Sequence, residues 1–369
     1  MIGSPRSLLV VAATLRPGAG GDAGHALRAE ANWSGVLQLA NAHYVGPAMF
    51  AALRDADAIG DLPEPVRDYL AFLHACNAKR NAVLAGEAAE IIRAFNSLGI
   101  NPILLKGGLT LFDGLYDDPG VRMIGDLDFL LPASGLMQSF EALDAMGYRL
   151  INRFPEGHHA FGEFARAGDP AAIDVHTELV DAAYVLPAAE IWSRAVALVS
   201  DGAAMCAPAP TDRILHHLLH AQIHYLGNFY RGRFELRQLY EFARLAKVLG
   251  AEIDWNFIAT RLKRYRLEIP LQSYLLLGNR LLGMPWPLPE PPQRTAAIHC
   301  WRCLVQPWIP AFSWLSVPWG NLRSAFAWHR MSTLYGGQEL IGLRPIRHAW
   351  QFWRKRDPRG IVGRLFRTQ

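Results

Sequence analysis

The stretch LLKGGLTLFDGLYDDPGVRMIGDLDFLLP, residues 104–132, gathers a lysine, a glycine pair, an arginine and two alternating aspartates into one window. The apolar run PILLK (102–106) suits a buried strand. GLTLFDGLY (108–116) returns to helical spacing, and DDPG (117–120) has the composition of a turn. LDFLLP (127–132) reads as a second strand, stopped by Pro132. On a strand, Asp126 and Asp128 leave from one face, because side chains alternate with a period of two. Two carboxylates held so close repel unless a cation lies between them or one is protonated. Hard oxygen ligands of this kind suit Mg²⁺ or Mn²⁺, the ions that accompany phosphates.

Outward from this window the period changes. WSGVLQLANAHYVGPAMFAAL (33–53) and NAVLAGEAAEIIRAFNSLG (81–99) show helical spacing, the latter with Gly99 placed as a C-terminal cap. GLMQSFEALDAM (135–146) predicts a helix closed by Gly147, YRLI (148–151) opens another strand, and AAIDVHTEL (171–179) is a further strong strand. From Thr211 the pattern is helical again, with Thr211 and Asp212 as expected N-caps. A Pro-rich link, MPWPLPEPP (284–292), precedes a Trp-rich basic end. The expected organisation is a helical region over 1–75, a small mixed α/β core over 76–200, a helical region over 205–283 for substrate or acceptor, and the Pro-linked basic region over 284–369.

Within the core, Lys106-Gly107-Gly108 follows a strand and opens a helix. Backbone N–H groups there can meet an anion with no Cβ in the way, and Lys106 adds a mobile charge. Arg122 can stabilise phosphate as a bidentate donor. Asp174, between Ile173 and Val175, is costly on a core strand unless it serves a cation or a hydrogen-bond network. With Asp126 and Asp128 it forms a three-carboxylate set able to hold two metal ions.

A strand, a G-G helix entrance, hydrophobic-D-hydrophobic-D, and a third carboxylate on a later strand together resemble the nucleotidyltransferase fold of the DNA polymerase beta superfamily. More closely, ILLKGGLTL, LYDDPGVRMIGDLDFLL and AIDVHTEL are similar to an uncharacterised bacterial nucleotidyltransferase family with a KG, R, D-x-D, D-x-H pattern. The KGG form is also similar to nucleotidyltransferase toxins of abortive-infection systems. The resemblance implies an α+β fold, a small mixed β-sheet nucleotidyltransferase core flanked by N-terminal and C-terminal helical regions. It also implies transfer of a nucleoside monophosphate from an NTP, ATP among them, with release of pyrophosphate. It implies Asp126, Asp128 and Asp174 as Mg²⁺ ligands, Asp174 being the candidate base. Gly107 and Gly108 would cradle the triphosphate, with Lys106 and Arg122 neutralising it. His176 would orient Asp174 or meet the acceptor. Gly108 departs from the wider superfamily, where many members carry Ser.

His216, His220 and His224 share one helical face beside His217, and Arg231, Arg233 and Arg237 follow. Without a Glu in an H-E-x-x-H pattern, these histidines are expected to line the cleft between core and helical region rather than bind zinc. His220, His224, Arg233 and Arg237 are therefore candidates for acceptor contact. His299, Cys300 and Cys303 resemble half a zinc site with no second pair, and four cysteines are too few for a disulfide framework. From Trp301 onward, 11 Lys/Arg face 2 Asp/Glu, a net of +9, while the rest sums to −5. That end can touch nucleic acid or an anionic membrane surface. With no bilayer-length apolar run and no secretory cleavage pattern, the chain reads as cytoplasmic. A D-x-D glycosyltransferase needs neither the KGG nor the third aspartate, and a non-catalytic nucleotide-binding module would be expected to lose some carboxylates. The acceptor is left open among tRNA, a peptide or protein, and a small molecule.

Overall fold

The computed structural model describes residues 3–17, 25, 28–29, 31–155, 157–224 and 227–335, with side chains through 331. The chain enters through α1 (Pro5–Leu15), α2 (Trp33–Ala42) and α3 (Gly46–Asp55). Ser4 and Asn32 cap the first two by accepting from the Ser7 and Gly35 N–H groups. The helical stretch expected over 33–53 is thus two helices, broken where Tyr44 takes a left-handed backbone (φ 55°) ahead of Gly46-Pro47. A 34-residue helix, α4 (Glu64–Ser97), extends the expected 81–99 helix toward the N-terminus. Gly99 follows it at φ 73°, in the conformation that ends helices.

The sheet comprises β1 (Ile103–Leu104), β2 (Asp126–Leu130), β3 (Arg149–Arg153), β4 (Ala160–Ala165), β5 (Ala172–His176), β6 (Val196–Ser200) and β7 (Ala203–Ala207). Their spatial order is β3-β4-β5-β2-β1-β7-β6. β2 runs parallel to β5 and β1 parallel to β7, and the other pairs are antiparallel. The α+β, mixed-sheet architecture is as expected, but the helix expected over 108–116 is a single turn, α5 (Lys106–Leu109). The core does not end at 200: the β6–β7 hairpin carries the sheet to Ala207, with β7 paired to β1. Between β2 and β3 runs α6 (Leu136–Ala145), and α7 (Ala188–Arg194) precedes β6.

The C-terminal helices are α8 (Pro210–Gln222), α9 (Asn228–Arg231), α10 (Leu236–Leu249), α11 (Trp255–Arg264), α12 (Glu268–Leu282), α13 (Arg294–Val305), α14 (Pro310–Ala325) and α15 (Trp328–Tyr335). α8 starts at Pro210 with Ala209 as its cap, not at Thr211 or Asp212. Proline fits there because the first helical N–H needs no partner. Asp212 instead accepts two bonds from Arg194, and Thr211 Oγ1 accepts from the Asp254 N–H.

Alternation sorts the sheet's two faces. Leu127, Phe129, Ile173 and Val175 pack with Leu84, Ile91, Ile92 and Phe95 of α4 in one core. A second core joins Ile103, Leu105 and Leu130 to the N-terminal helices (Val11, Met49) and to Leu215, Phe242 and Tyr274 of the C-terminal ones. The even-numbered residues of β2 and β5 are left between the sheet and α8 and α10. No described helix is long and apolar enough to cross a membrane.

Candidate active site

The parallel β2–β5 register sets Asp128 beside Asp174 and Leu130 beside His176. Asp128 is fully buried. Its Oδ1 accepts from Lys106 Nζ at 2.6 Å and lies 2.9 Å from His176 Nε2. Asp128 Oδ2 and Asp174 Oδ1 are buried without a hydrogen-bond partner. Ligand atoms of Asp128, Asp174 and His176 lie within 4.8 Å of one another. Two orphaned carboxylate oxygens on adjacent strands are what a hard divalent cation would satisfy, so these residues fit Mg²⁺ or Mn²⁺. Asp126 shares their face at the exposed end of β2.

Electrostatics separate the three carboxyls. Burial pushes the Asp128 carboxyl up, but Lys106 and His176 overcome this and hold it well below the usual range. Asp174, raised by burial and by Asp128, reaches about 7. Asp126 is raised by its neighbour Asp128 and then by burial. His176 is pushed down by burial. Its Nδ1 faces the Glu178 carbonyl at 3.2 Å, so both ring nitrogens face oxygens and a neutral ring can donate to only one.

Lys106 reaches Asp128 because the Leu105 N–H donates to the Asp128 carbonyl, fixing the end of β1 against β2. The backbone then turns through a left-handed Lys106, φ 46°. A non-glycine residue held there costs about 1–3 kcal/mol, the kind of strain that clusters at functional sites. The glycines have different reasons. A Cβ on Gly107 would stand 3.2 Å from the Arg122 guanidinium, whereas one on Gly108 would meet Leu104 and Leu127 at 3.3 and 3.4 Å. Gly107 therefore lines the cleft, and the side-chain direction of Gly108 is into the core.

Arg122 is placed by the long helix. Asn77 donates to the Gly120 and Arg122 carbonyls, and Asn81 to those of Pro119 and Arg122. The DDPG turn is real: Asp118 accepts from the Gly120 N–H, His74 and Arg54, while Asp117 is exposed. The Arg122 guanidinium donates to Glu241 of α10 and to its neighbour's carbonyl, Met123 O. Burial raises the Glu241 carboxyl, but Arg122 and His217 pull it well below the usual range.

Two adjoining cavities open over this face. One, of about 110 Å³, is lined by Lys106, Gly107, Arg122, Asp126, Arg237 and Glu241, with His216, His217 and His220 along α8. Arg237 Nε is buried there without a partner, while its Nη1 donates to the Met123 carbonyl. The other, of about 340 Å³, is lined by Lys106, Asp126, Asp174, His159, His220 and His224. Arg233 is half-buried and lines neither. Cys300 and Cys303 are packed in the second core and the His299 ring lies tilted against Phe229, 4.2 Å between centroids; among the described residues the groups able to hold a metal ion do not include these three.

Sequence reasoning missed Glu241, Gln238, His159 and Asp181. Glu241 stands four residues after Arg237, so both share one helix face; two charges and Gln238 beside the apolar stripe of α10 were the available signal.

The in-register Asp128–Asp174 pair, with Asp126 on the same face and Lys106 beside them, is an arrangement able to serve phosphoryl transfer. The chain belongs to the family described as uncharacterised nucleotidyltransferase, whose model matches residues 29–283. It is thereby a transferase of phosphorus-containing groups. Among solved structures, the crystal structure of an antigenic nucleotidyltransferase-like protein from Paracoccidioides brasiliensis is similar over 54% of this chain and 93% of its own, at 13% identity and a TM-score of 0.34. No curated protein matches the chain significantly.

Proposed function

We propose that this chain moves a nucleoside monophosphate from an NTP to an acceptor, with Asp126, Asp128 and Asp174 holding Mg²⁺ or Mn²⁺. The supporting observation is the pair of unpartnered oxygens on Asp128 and Asp174: Asp174 lines the larger cavity together with Lys106 and Asp126, and these last two also line the smaller cavity with Arg122 and Arg237. The bound cation supplies charge stabilisation for the transferring phosphoryl group and the departing pyrophosphate. Arg237 and Arg122 receive the triphosphate in the smaller cavity. Lys106, now paired with Asp128, contributes charge between the two cavities. Asp174 lines the larger cavity, where its carboxylate can take a proton from an acceptor hydroxyl or amine. His176 holds Asp128 in place.

At about 340 Å³ that cavity admits a terminal group, whether of a tRNA, a peptide or protein, or a small molecule. A cytoplasmic setting and contact of the basic C-terminal stretch with an anionic surface belong to the same reading; the stretch from 336 onward lies outside the described residues. The test is incubation with each α-labelled NTP and Mg²⁺ alongside cellular RNA, protein and small-molecule fractions. Label should enter one fraction, and Asp126→Asn with Asp128→Asn should lower that transfer at least roughly 1,000-fold, equivalent to about 4 kcal/mol. Unchanged transfer by the folded double variant sinks the assignment.

A further inference from the structure

The larger cavity carries a second group of ligating side chains that the nucleotide reading leaves unused. His159 stands just before β4, where its carbonyl accepts from the Thr177 and Glu178 N–H groups at the end of β5. Asp181 follows β5. His224 lies just past α8, its N–H donating to the Leu219 carbonyl. Three separate segments thus converge. His159 Nδ1 is 3.6 Å from Asp181 Oδ1, and His224 Nδ1 meets the same oxygen. Ligand atoms of all three residues lie within 4.8 Å of one another. The His159 and His224 rings meet edge to face at 4.6 Å between centroids.

We propose that His159, Asp181 and His224 form a site for one Zn²⁺ ion, distinct from the carboxylate site on β2 and β5. Zinc bonds of about 2.0–2.1 Å in tetrahedral array set ligand atoms roughly 3.4 Å apart, close to the His159–Asp181 spacing. Two imidazoles and one carboxylate favour zinc over magnesium, whereas Asp128 and Asp174 offer hard oxygen. Three protein ligands leave a fourth position open, as in zinc sites that receive a water or substrate atom. His159 and His224 line the cavity shared with Asp126 and Asp174, and half-exposed Asp181 gives the ion a route in. Resting on the nucleotidyl-transfer reading, the open position would receive an oxygen or nitrogen of the acceptor. The two ligand groups touch through the His159 and His176 rings, 5.3 Å apart, so ion and acceptor would sit next to the transferred phosphoryl group.

The site is tested on the untagged, chelator-stripped full chain with Co²⁺ as probe. With excess Mg²⁺ present to fill the carboxylate site, the wild type should take up one equivalent with the visible absorption of a four- or five-coordinate ion, displaced by Zn²⁺. Asp126→Asn with Asp128→Asn should keep that spectrum, which separates this site from the nucleotide reading. His159→Ala with His224→Ala should abolish it. Asp181→Asn, a near-isosteric change at a half-exposed side chain, should weaken Zn²⁺ binding at least about 100-fold. No cobalt spectrum in the wild type overturns the proposal whatever the variants do. So does an unchanged spectrum in the histidine double variant, or an unchanged Zn²⁺ affinity in Asp181→Asn.

Discussion

Glu241 shows how one residue controls another's chemistry. It is buried and bound to Arg122, so removing Arg122 leaves the buried Glu241 carboxylate with only His217, 3.7 Å away, beside it. Arg122→Met should therefore cost about 3–5 kcal/mol in chemical denaturation. Adding Glu241→Leu should recover most of that loss, while calorimetry still shows NTP affinity down about 10- to 100-fold. Gly108 makes the opposite case. Its missing Cβ faces Leu104 and Leu127, so Gly108→Ser would set a hydroxyl against two leucines. The expected result is a lower melting temperature, from about 1–3 kcal/mol of lost stability, with no gain in nucleotide affinity. The alternation that puts Asp126, Asp128, Asp174 and His176 on one side was legible in the sequence, since period two needs no tertiary knowledge. The partners of Lys106 and Arg122 were not. Buried cations turn to whichever carboxylates the fold brings near, and both found one: Asp128 and Glu241.

At the scale of elements, α4 acts as a strut whose polar residues serve the site. Asn77 and Asn81 hold the loop carrying Arg122, and lower down Glu87 is buried against Tyr148. The Tyr148 hydroxyl donates at 2.8 Å to Asp169 and lies 3.3 Å from Glu87, which leaves Glu87 to hold its own proton. Burial, then Asp169, raises its carboxyl from 4.5 to about 7. Between those values the unfolded chain releases a proton that the folded chain keeps, so stability falls as pH rises through the window. The loss is about 3 kcal/mol, and Glu87→Gln should flatten that part of a denaturation-versus-pH curve. Strands were unevenly legible. β1, β2 and β5 are rich in β-branched, leucine or aromatic residues, but β7 is AAMCA and β4 is interrupted by Gly162. Their pairing, not their propensity, makes them strands. The DG turn joining β6 to β7, with Asp201 and Gly202 both at positive φ, was a readable hairpin signal that went unread.

Across the whole molecule, the N-terminal and C-terminal helices meet in one core over the sheet, with Val11, Met49, Leu130 and Tyr274 in the same cluster. Such continuity is invisible to local periodicity, which divides a chain by pattern and cannot see that Arg16 donates to the Leu281 carbonyl. Excised alone, residues 76–207 would expose Ile103, Leu105, Leu130 and Leu186 to water. That fragment is expected to lack a cooperative thermal transition and to bind an environment-sensitive dye, whereas the full chain unfolds in a single sharp step.

The span of the site's contacts has a consequence for how the molecule comes into being. The Lys106–Asp128 pair closes a loop of only 22 residues, but His176 comes 48 residues after Asp128 and Glu241 comes 119 after Arg122. Long-range pairings of this kind form late. A chain emerging from a ribosome therefore displays the aspartates of β2 well before any cleft exists to use them. Only after α10 has been synthesised can Arg122 be seated. Nucleotide and metal would then act on the finished product alone, locking it by mass action without guiding its birth.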